Sequence, residues 1–280
     1  MKFGANAFIW SERFDRSHLG LLERLKAAGF DGIELPLIDL EHARDAAVRE
    51  ALERNQLEPT FCSVLPPGLS PISDDGGVRE RTVQHYRRCI ETAAEMGASL
   101  IAGPLYSPVG YLPGRRRTDE EWKRAVECFQ QLGPALDEHG VTLAIEPLNR
   151  YETYFLNTAA DAAQLCSEVG HDRVGILFDT YHANIEEKHV AEAIMTAGPY
   201  LRHFHSCEND RGVPGSGHID WPGVFESLRA VHYDGWLTIE SFGFSLGMLS
   251  AAASVWRDLA PTAETIAFDG LKFLREMTAR

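Results

Sequence analysis

Short apolar runs rich in β-formers alternate along this chain with longer stretches whose apolar positions recur at helical spacing. The runs at 3–9, 32–37, 59–64, 100–104, 142–146, 175–179, 202–205 and 236–240 are each four to seven residues long. Gly, Pro, Asp or Asn flank them, as expected of buried strands. Between them, 17–28 places Leu19, Leu22 and Leu25 on one face and stops at Gly29. Segments 79–96 and 119–138 end at Gly97 and near Gly140, and 158–168 opens with Thr158 as an N-cap and Asp161 in the first turn. Eight strands strictly alternating with eight helical segments imply a parallel sheet. No linker or composition break interrupts them, so residues 1–280 are expected to form one (β/α)8 TIM barrel. An open doubly wound sheet would carry a Gly-rich phosphate loop after its first strand. Asn6-Ala-Phe-Ile-Trp10 is not one.

Composition narrows the classes. The length of 280 residues suits one such barrel, which buries enough apolar surface to need no disulfide. The net charge of −14, with Arg115–Arg117 as the longest basic run, argues against a nucleic-acid partner. Five scattered cysteines without a Cys-x-x-Cys pair fit reduced thiols. The N-terminus lacks a secretory h-region and no run is long enough to span a membrane, so a cytoplasmic location is expected.

The last four strands carry the chemistry. Each runs into a metal-competent residue: Glu146, Asp179, His205 and Glu240. A carboxylate at the end of a buried strand is costly unless paired or metal-bound. In a barrel the C-terminal strand ends share one mouth, so the four side chains would converge. Strand-end hydrogen bonds alone would have to account for four coincidences. Three carboxylates and one imidazole suit Mn²⁺, with Co²⁺ or Mg²⁺ as alternatives, and Zn²⁺ less well. A ring of polar residues follows the same strands: Asn149 to Glu152, Tyr181 and His182, and Glu208 to Arg211. Three carboxylates on one divalent ion leave a formal charge of about −1, which Arg211 is suited to offset.

These segments resemble the ketose 3-epimerases, the D-tagatose/D-psicose (D-allulose) and L-ribulose 3-epimerase group within the xylose-isomerase-like barrel superfamily. The resemblance is carried by Ile145-Glu-Pro-Leu-Asn-Arg-Tyr-Glu-Thr153, Phe178-Asp-Thr-Tyr-His-Ala-Asn-Ile-Glu-Glu187, His203-Phe-His-Ser-Cys-Glu-Asn-Asp-Arg-Gly212 and Thr238-Ile-Glu-Ser-Phe242. It implies that Glu146, Asp179, His205 and Glu240 bind the metal, that Glu146 and Glu240 are also the acid/base pair, and that Glu152, His182 and Arg211 hold the substrate. Asn6, Trp10, Tyr106 and Phe242, with Phe8, are expected to contact the sugar or wall its far end. The expected reaction inverts C3 of a free ketohexose or ketopentose through a cis-enediolate. The alternative is aldose–ketose isomerisation, or epimerisation of another small hydroxy-carbonyl compound, on the same site. An abasic-DNA endonuclease would call for more His ligands and a basic face. Paired glutamates count against a sugar-binding barrel without catalysis. A homodimer or homotetramer is expected by analogy.

Four further features carry expectations. Glu34 should hydrogen-bond at the mouth rather than bind metal, and His203 should support His205, two residues along the strand. Arg115–Arg117 is expected to be a solvated loop, with a phosphate or subunit contact as the sharper reading. The Gly212–Gly217 loop is a weak phosphate signal, better read as shaping Arg211 and leading to Asp220 as an N-cap. Cys207 is expected only to pack.

Overall fold

A computed structural model describes residues 1–243 and 247–280. Eight parallel strands close into one barrel in sequence order: β1 (Lys2–Asn6), β2 (Gly32–Pro36), β3 (Glu58–Cys62), β4 (Leu100–Gly103), β5 (Thr142–Ile145), β6 (Val174–Asp179), β7 (Leu201–His205) and β8 (Trp236–Ile239). β1 pairs with β8, Phe3 opposite Leu237, which completes the ring. The strands are buried on both faces by the packed interior and the surrounding helices, which is why they read as nearly continuous apolar runs.

Local signals set most boundaries. Gly29 and Gly140 end their helices with φ of 100° and 67°, the left-handed cap that favours glycine. Thr158 accepts from Asp161 N at 3.2 Å and caps the helix Ala159–Val169. The expected first strand is too long. Asn6 Oδ1 accepts from Phe8 N at 2.8 Å, and this side-chain bond turns Ala7–Ile9 into a 3₁₀ turn instead of strand. The alternation is also less regular than one helix per strand. Leu40–Ala43 and Ala46–Asn55 both follow β2, and Thr180–Glu186 and Val190–Ala197 both follow β6. Beyond β8 the short helix Met248–Ala252 leans over the C-terminal mouth, where Leu249 and Ala252 line a cavity.

Gly103 shows how the mouth is shaped. Its φ is 134°, and a Cβ there would lie 2.2 Å from Ser63 O. With no side chain, the end of β4 approaches the β3 segment closely, while its carbonyl accepts from Glu146 N at 2.9 Å. The backbone that presents Glu146 is fixed by this contact.

Candidate active site

Glu146 and Glu240 stand one residue beyond their strands; Asp179 and His205 end theirs. One donor atom from each of the four lies within 4.8 Å of the others, and all four side chains are buried. His205 Nδ1 is 3.5 Å from Glu240 Oε1, 3.9 Å from Asp179 Oδ2 and 4.0 Å from Glu146 Oε1. It has no hydrogen-bond partner. Its other nitrogen, Nε2, is committed to Glu34 Oε1 at 2.7 Å. The unpartnered Nδ1 therefore faces three carboxylates. Ligand atoms about 2.0–2.2 Å from one shared ion stand roughly 3–4 Å apart, so these separations fit a divalent cation better than direct hydrogen bonds. The buried Glu/Asp/His cluster is able to hold such an ion.

The electrostatics carry the same bias. Burial pushes the Glu146 carboxyl well above its ordinary range, and Glu240 adds to the rise. Burial, again with Glu240, pushes Asp179 up to about 6. Burial acts on Glu240 in that direction too, but His205 and Arg211 outweigh it and hold Glu240 down to about 2. The two glutamates are thus pushed in opposite directions by their surroundings.

Arg211, His182 and Glu152 surround this cluster. Arg211 is buried, donates from Nη1 to Glu240 Oε2 at 2.6 Å, and lies between the Tyr181 ring (4.2 Å) and the Phe242 ring (4.7 Å). Burial holds His182 neutral, its pKa well below the ordinary value, and Arg211 reinforces this. His182 Nδ1 accepts from Asn149 N at 3.1 Å, which places the ring proton on Nε2. That nitrogen lies 3.6 Å from Glu146 Oε1 and 3.2 Å from Arg211 Nη2. Two donors therefore converge at the edge of the carboxylate cluster. Burial raises the Glu152 carboxyl, opposed by Arg211 4.0 Å away, and Asn149 Nδ2 donates to it at 2.8 Å.

A cavity of about 480 Å³ opens above the cluster. Phe8 and Phe242, stacked 5.6 Å apart, form part of its wall together with Cys62, Leu65, Leu148 and Val109. Three expected wall residues are placed elsewhere. Asn6 is fully buried beneath the cluster and donates to Glu34. Tyr106 is fully buried, stacks on Phe155, and bonds Leu156 O and Leu148 N, so it supports the wall from behind. Trp10 is half-buried and packs against the main core. Strand polarity alone could not tell Trp10 from Phe8, because the 3₁₀ turn after Asn6 redirects the side chains that follow it. The wall supplied at and just past the end of β3, from Cys62 to Leu65, carries no distinct sequence signal, because short residues at a strand end look like ordinary packing.

The remaining features resolve into scaffolding. Arg115 forks onto Glu121 at 2.7 and 2.9 Å and Arg117 onto Asp161 at 2.9 and 3.0 Å, so both guanidiniums are used within the chain. The Gly212–Gly217 loop wraps the buried Glu208 carboxylate, which accepts from Gly215 N, Ile219 N and Trp221 Nε1 at 2.8–3.0 Å. Within the loop, Gly215 N is spent on this internal anion, Gly212 N on Asp210 Oδ1 and Ser216 N on Val213 O, and Asp220 caps the helix Trp221–Ala230 as expected. Cys207 does more than pack: its thiol lies 3.4 Å from Asp179 Oδ2 and 3.2 Å from Glu240 O. Among the described residues, no helix is long and apolar enough to cross a membrane.

Comparison with known proteins agrees with this geometry. Residues 22–277 match the family model of the xylose isomerase-like TIM barrel. The chain is 37% identical over 276 residues to a probable ketose 3-epimerase of Synechocystis sp., covering 99% of this chain and 96% of that one. It is 31% identical to a D-psicose 3-epimerase of Agrobacterium fabrum, covering 96% and 94%. Among solved structures, a D-psicose 3-epimerase crystallised in the presence of D-fructose superposes with a TM-score of 0.91 at 29% identity over 100% of both chains. An L-ribulose 3-epimerase superposes with a TM-score of 0.93 at 29% identity, covering 99% and 94%. The chain belongs to the xylose isomerase-like TIM-barrel family and, within it, to the ketose 3-epimerases, enzymes of the isomerase class.

Proposed function

We propose that this enzyme is a divalent-metal-dependent ketose 3-epimerase that inverts C3 of a free ketohexose or ketopentose of the D-tagatose, D-psicose/D-fructose or L-ribulose class. The observation that carries the reading is the convergence of Glu146, Asp179, His205 and Glu240 beneath a cavity large enough for a monosaccharide. These four would hold the ion, with Mn²⁺ favoured by the oxygen-rich donor set and Co²⁺ or Mg²⁺ as alternatives. When bound, it polarises the ketone and offsets the charge that develops on deprotonation.

The chain's own residues do the rest. One of Glu146 and Glu240 takes the C3 proton from one face, and the other returns a proton to the opposite face of the cis-enediolate. The two enter from β5 and β8, on different sides of the rim. Arg211 and the His182 Nε2–H donate to the substrate oxygen on which charge grows, and Glu152 accepts from a hydroxyl. Acid–base transfer alone is worth about 10²–10⁴-fold. Positioning by these buried groups must supply much of the remainder. The names of the relatives, D-psicose and L-ribulose 3-epimerases, support a free ketose as substrate. We also propose self-association as a homodimer or homotetramer. The exposed Tyr111, Leu112 and Tyr151 support it, and the solution mass by sedimentation tests it.

Incubating the Mn²⁺-loaded protein with D-tagatose, D-fructose or L-ribulose in deuterated water tests the reaction. Deuterium is expected at C3 of recovered ketose. Exchange confined to C1 or C2 would identify an aldose–ketose isomerase instead. Glu146→Gln and Glu240→Gln are each expected to abolish turnover, and full activity in either would remove that residue from the acid/base pair.

A further inference from the structure

Glu34 lies beneath the candidate metal set and reaches across the inside of the barrel from β2 to β7. It is fully buried and holds four hydrogen-bond donors. Oε1 accepts from His205 Nε2 at 2.7 Å and from Asn6 Nδ2 at 2.8 Å. Oε2 accepts from His203 Nε2 at 2.7 Å and from Thr60 Oγ1 at 3.2 Å. The donors come from β1, β3 and β7, and β7 is not a ladder neighbour of β2.

Two simpler readings fit poorly. A second metal held by Glu34, His203 and His205 would need both ring nitrogens free of protons. The two contacts of 2.7 Å are charge-assisted hydrogen-bond lengths, and Asn6 and Thr60 occupy the carboxylate's remaining capacity. A purely stabilising role is also weak, because a buried ionic group of this kind is often replaceable by apolar residues at no loss of stability. What the network does determine is that Nε2 of His205 carries a proton. Nε2–H is fixed on Glu34, and the unpartnered Nδ1 is turned toward Glu146, Asp179 and Glu240.

We propose that Glu34 is a positioning residue: it holds His205 as the Nε2–H tautomer, presents Nδ1 as a neutral nitrogen ligand to the divalent cation, and is itself oriented by His203, Asn6 and Thr60. The proposal rests on reading the upper cluster as a metal site. A carboxylate behind a ligating imidazole both fixes the ring and strengthens its donation. His203 is then the second imidazole of one carboxylate and acts only through it.

The test is a calorimetric Mn²⁺ titration of the metal-stripped wild type, Glu34→Gln and Glu34→Asp, with ¹⁵N-histidine NMR of the Mg²⁺-loaded wild type. The expected spectrum puts the His205 proton on Nε2. Glu34→Gln, which removes the charge, is expected to bind Mn²⁺ about 10–100-fold more weakly. Its turnover should recover with excess metal, without a change in KM for the ketose. Glu34→Asp, which keeps the charge, should fall between the two. A role in folding alone would lower the thermal midpoint of the metal-free variant and leave the metal affinity where it was. Equal affinity of wild type and Glu34→Gln overturns the proposal, as does a proton on Nδ1, which the wild-type spectrum reports even if the variant does not fold. A wild type that binds no divalent ion overturns the metal site itself, a failure distinct from either of these.

Discussion

Arg211 combines three costs that an ordinary surface arginine avoids. Its φ of 63° is left-handed, its side chain is buried, and its Nε has no partner. A non-glycine residue in that region costs about 1–2 kcal/mol. The backbone is kept there by Arg211 N donating to Glu208 O at 2.9 Å and by Ser241 Oγ donating to Arg211 O at 2.5 Å. The conformation sends the guanidinium back over the cluster, between two aromatic rings and onto Glu240. Lysine keeps the charge but cannot stack as a plane or fork between Glu240 and a substrate oxygen. Arg211→Lys is therefore expected to lower kcat/KM for the preferred ketose by about 10²-fold or more, as loss of one oriented donor does. Calorimetry should find its Mn²⁺ affinity within a few-fold of wild type, and a large loss of metal binding would show that Arg211 belongs to the metal set instead.

Among the elements, the segments after β4 and β7 show how loops are made rigid without secondary structure. The Glu208 carboxylate organises the loop from Asn209 to Ile219, which carries Arg211. Gly217 packs so closely that a Cβ there would lie 2.1 Å from Asn209 Oδ1. Glu208→Gln turns one acceptor into a donor facing an N–H. It is expected to cost about 1–3 kcal/mol in denaturant unfolding and to raise KM while metal affinity holds. Glu121 does similar work at the start of the helix Asp119–His139, where it pairs with Arg115, closes a capping box with Thr118 and accepts from Tyr154. Arg115, ahead of burial, which opposes it, holds the Glu121 carboxyl down to about 2 from an ordinary 4.5. A depressed carboxyl contributes stability that is present above the unfolded value and is lost as pH falls toward the folded one. The stability gap between wild type and Glu121→Gln should therefore be widest above about pH 5 and close as pH falls from 4.5 toward 2; a gap independent of pH would assign the effect to packing.

For the whole molecule, the barrel and the site are two aspects of one arrangement. Four strand ends on a closed ring bring together three carboxylates and an imidazole that would repel or stay unpaired elsewhere. Without a counter-ion these buried charges oppose folding. A divalent cation bound only by the folded barrel should raise its stability, by about 2.7 kcal/mol at a hundredfold excess over the dissociation constant. The thermal midpoint should rise with Mn²⁺ and fall on chelation. A midpoint indifferent to metal would argue against a site formed by the folded chain.

The chain's own pattern determined the barrel, because eight apolar runs between amphipathic stretches leave few other ways to bury both faces of a parallel sheet. It also brought out Glu146, Asp179, His205 and Glu240, since polar residues ending buried strands stand out against apolar sequence. It assigned Glu34 to hydrogen bonding, but at the mouth; the residue sits in the middle of β2 and bonds beneath the cluster instead. Tertiary structure decided what depends on direction and distance across the barrel. It drew Asn6 and Glu34 under the site, put Tyr106 behind the wall and Phe8 in it, and folded the Gly212–Gly217 loop around Glu208. Periodicity reports which face of an element is buried; what a side chain meets there is set by strands distant in sequence, and no local pattern encodes that.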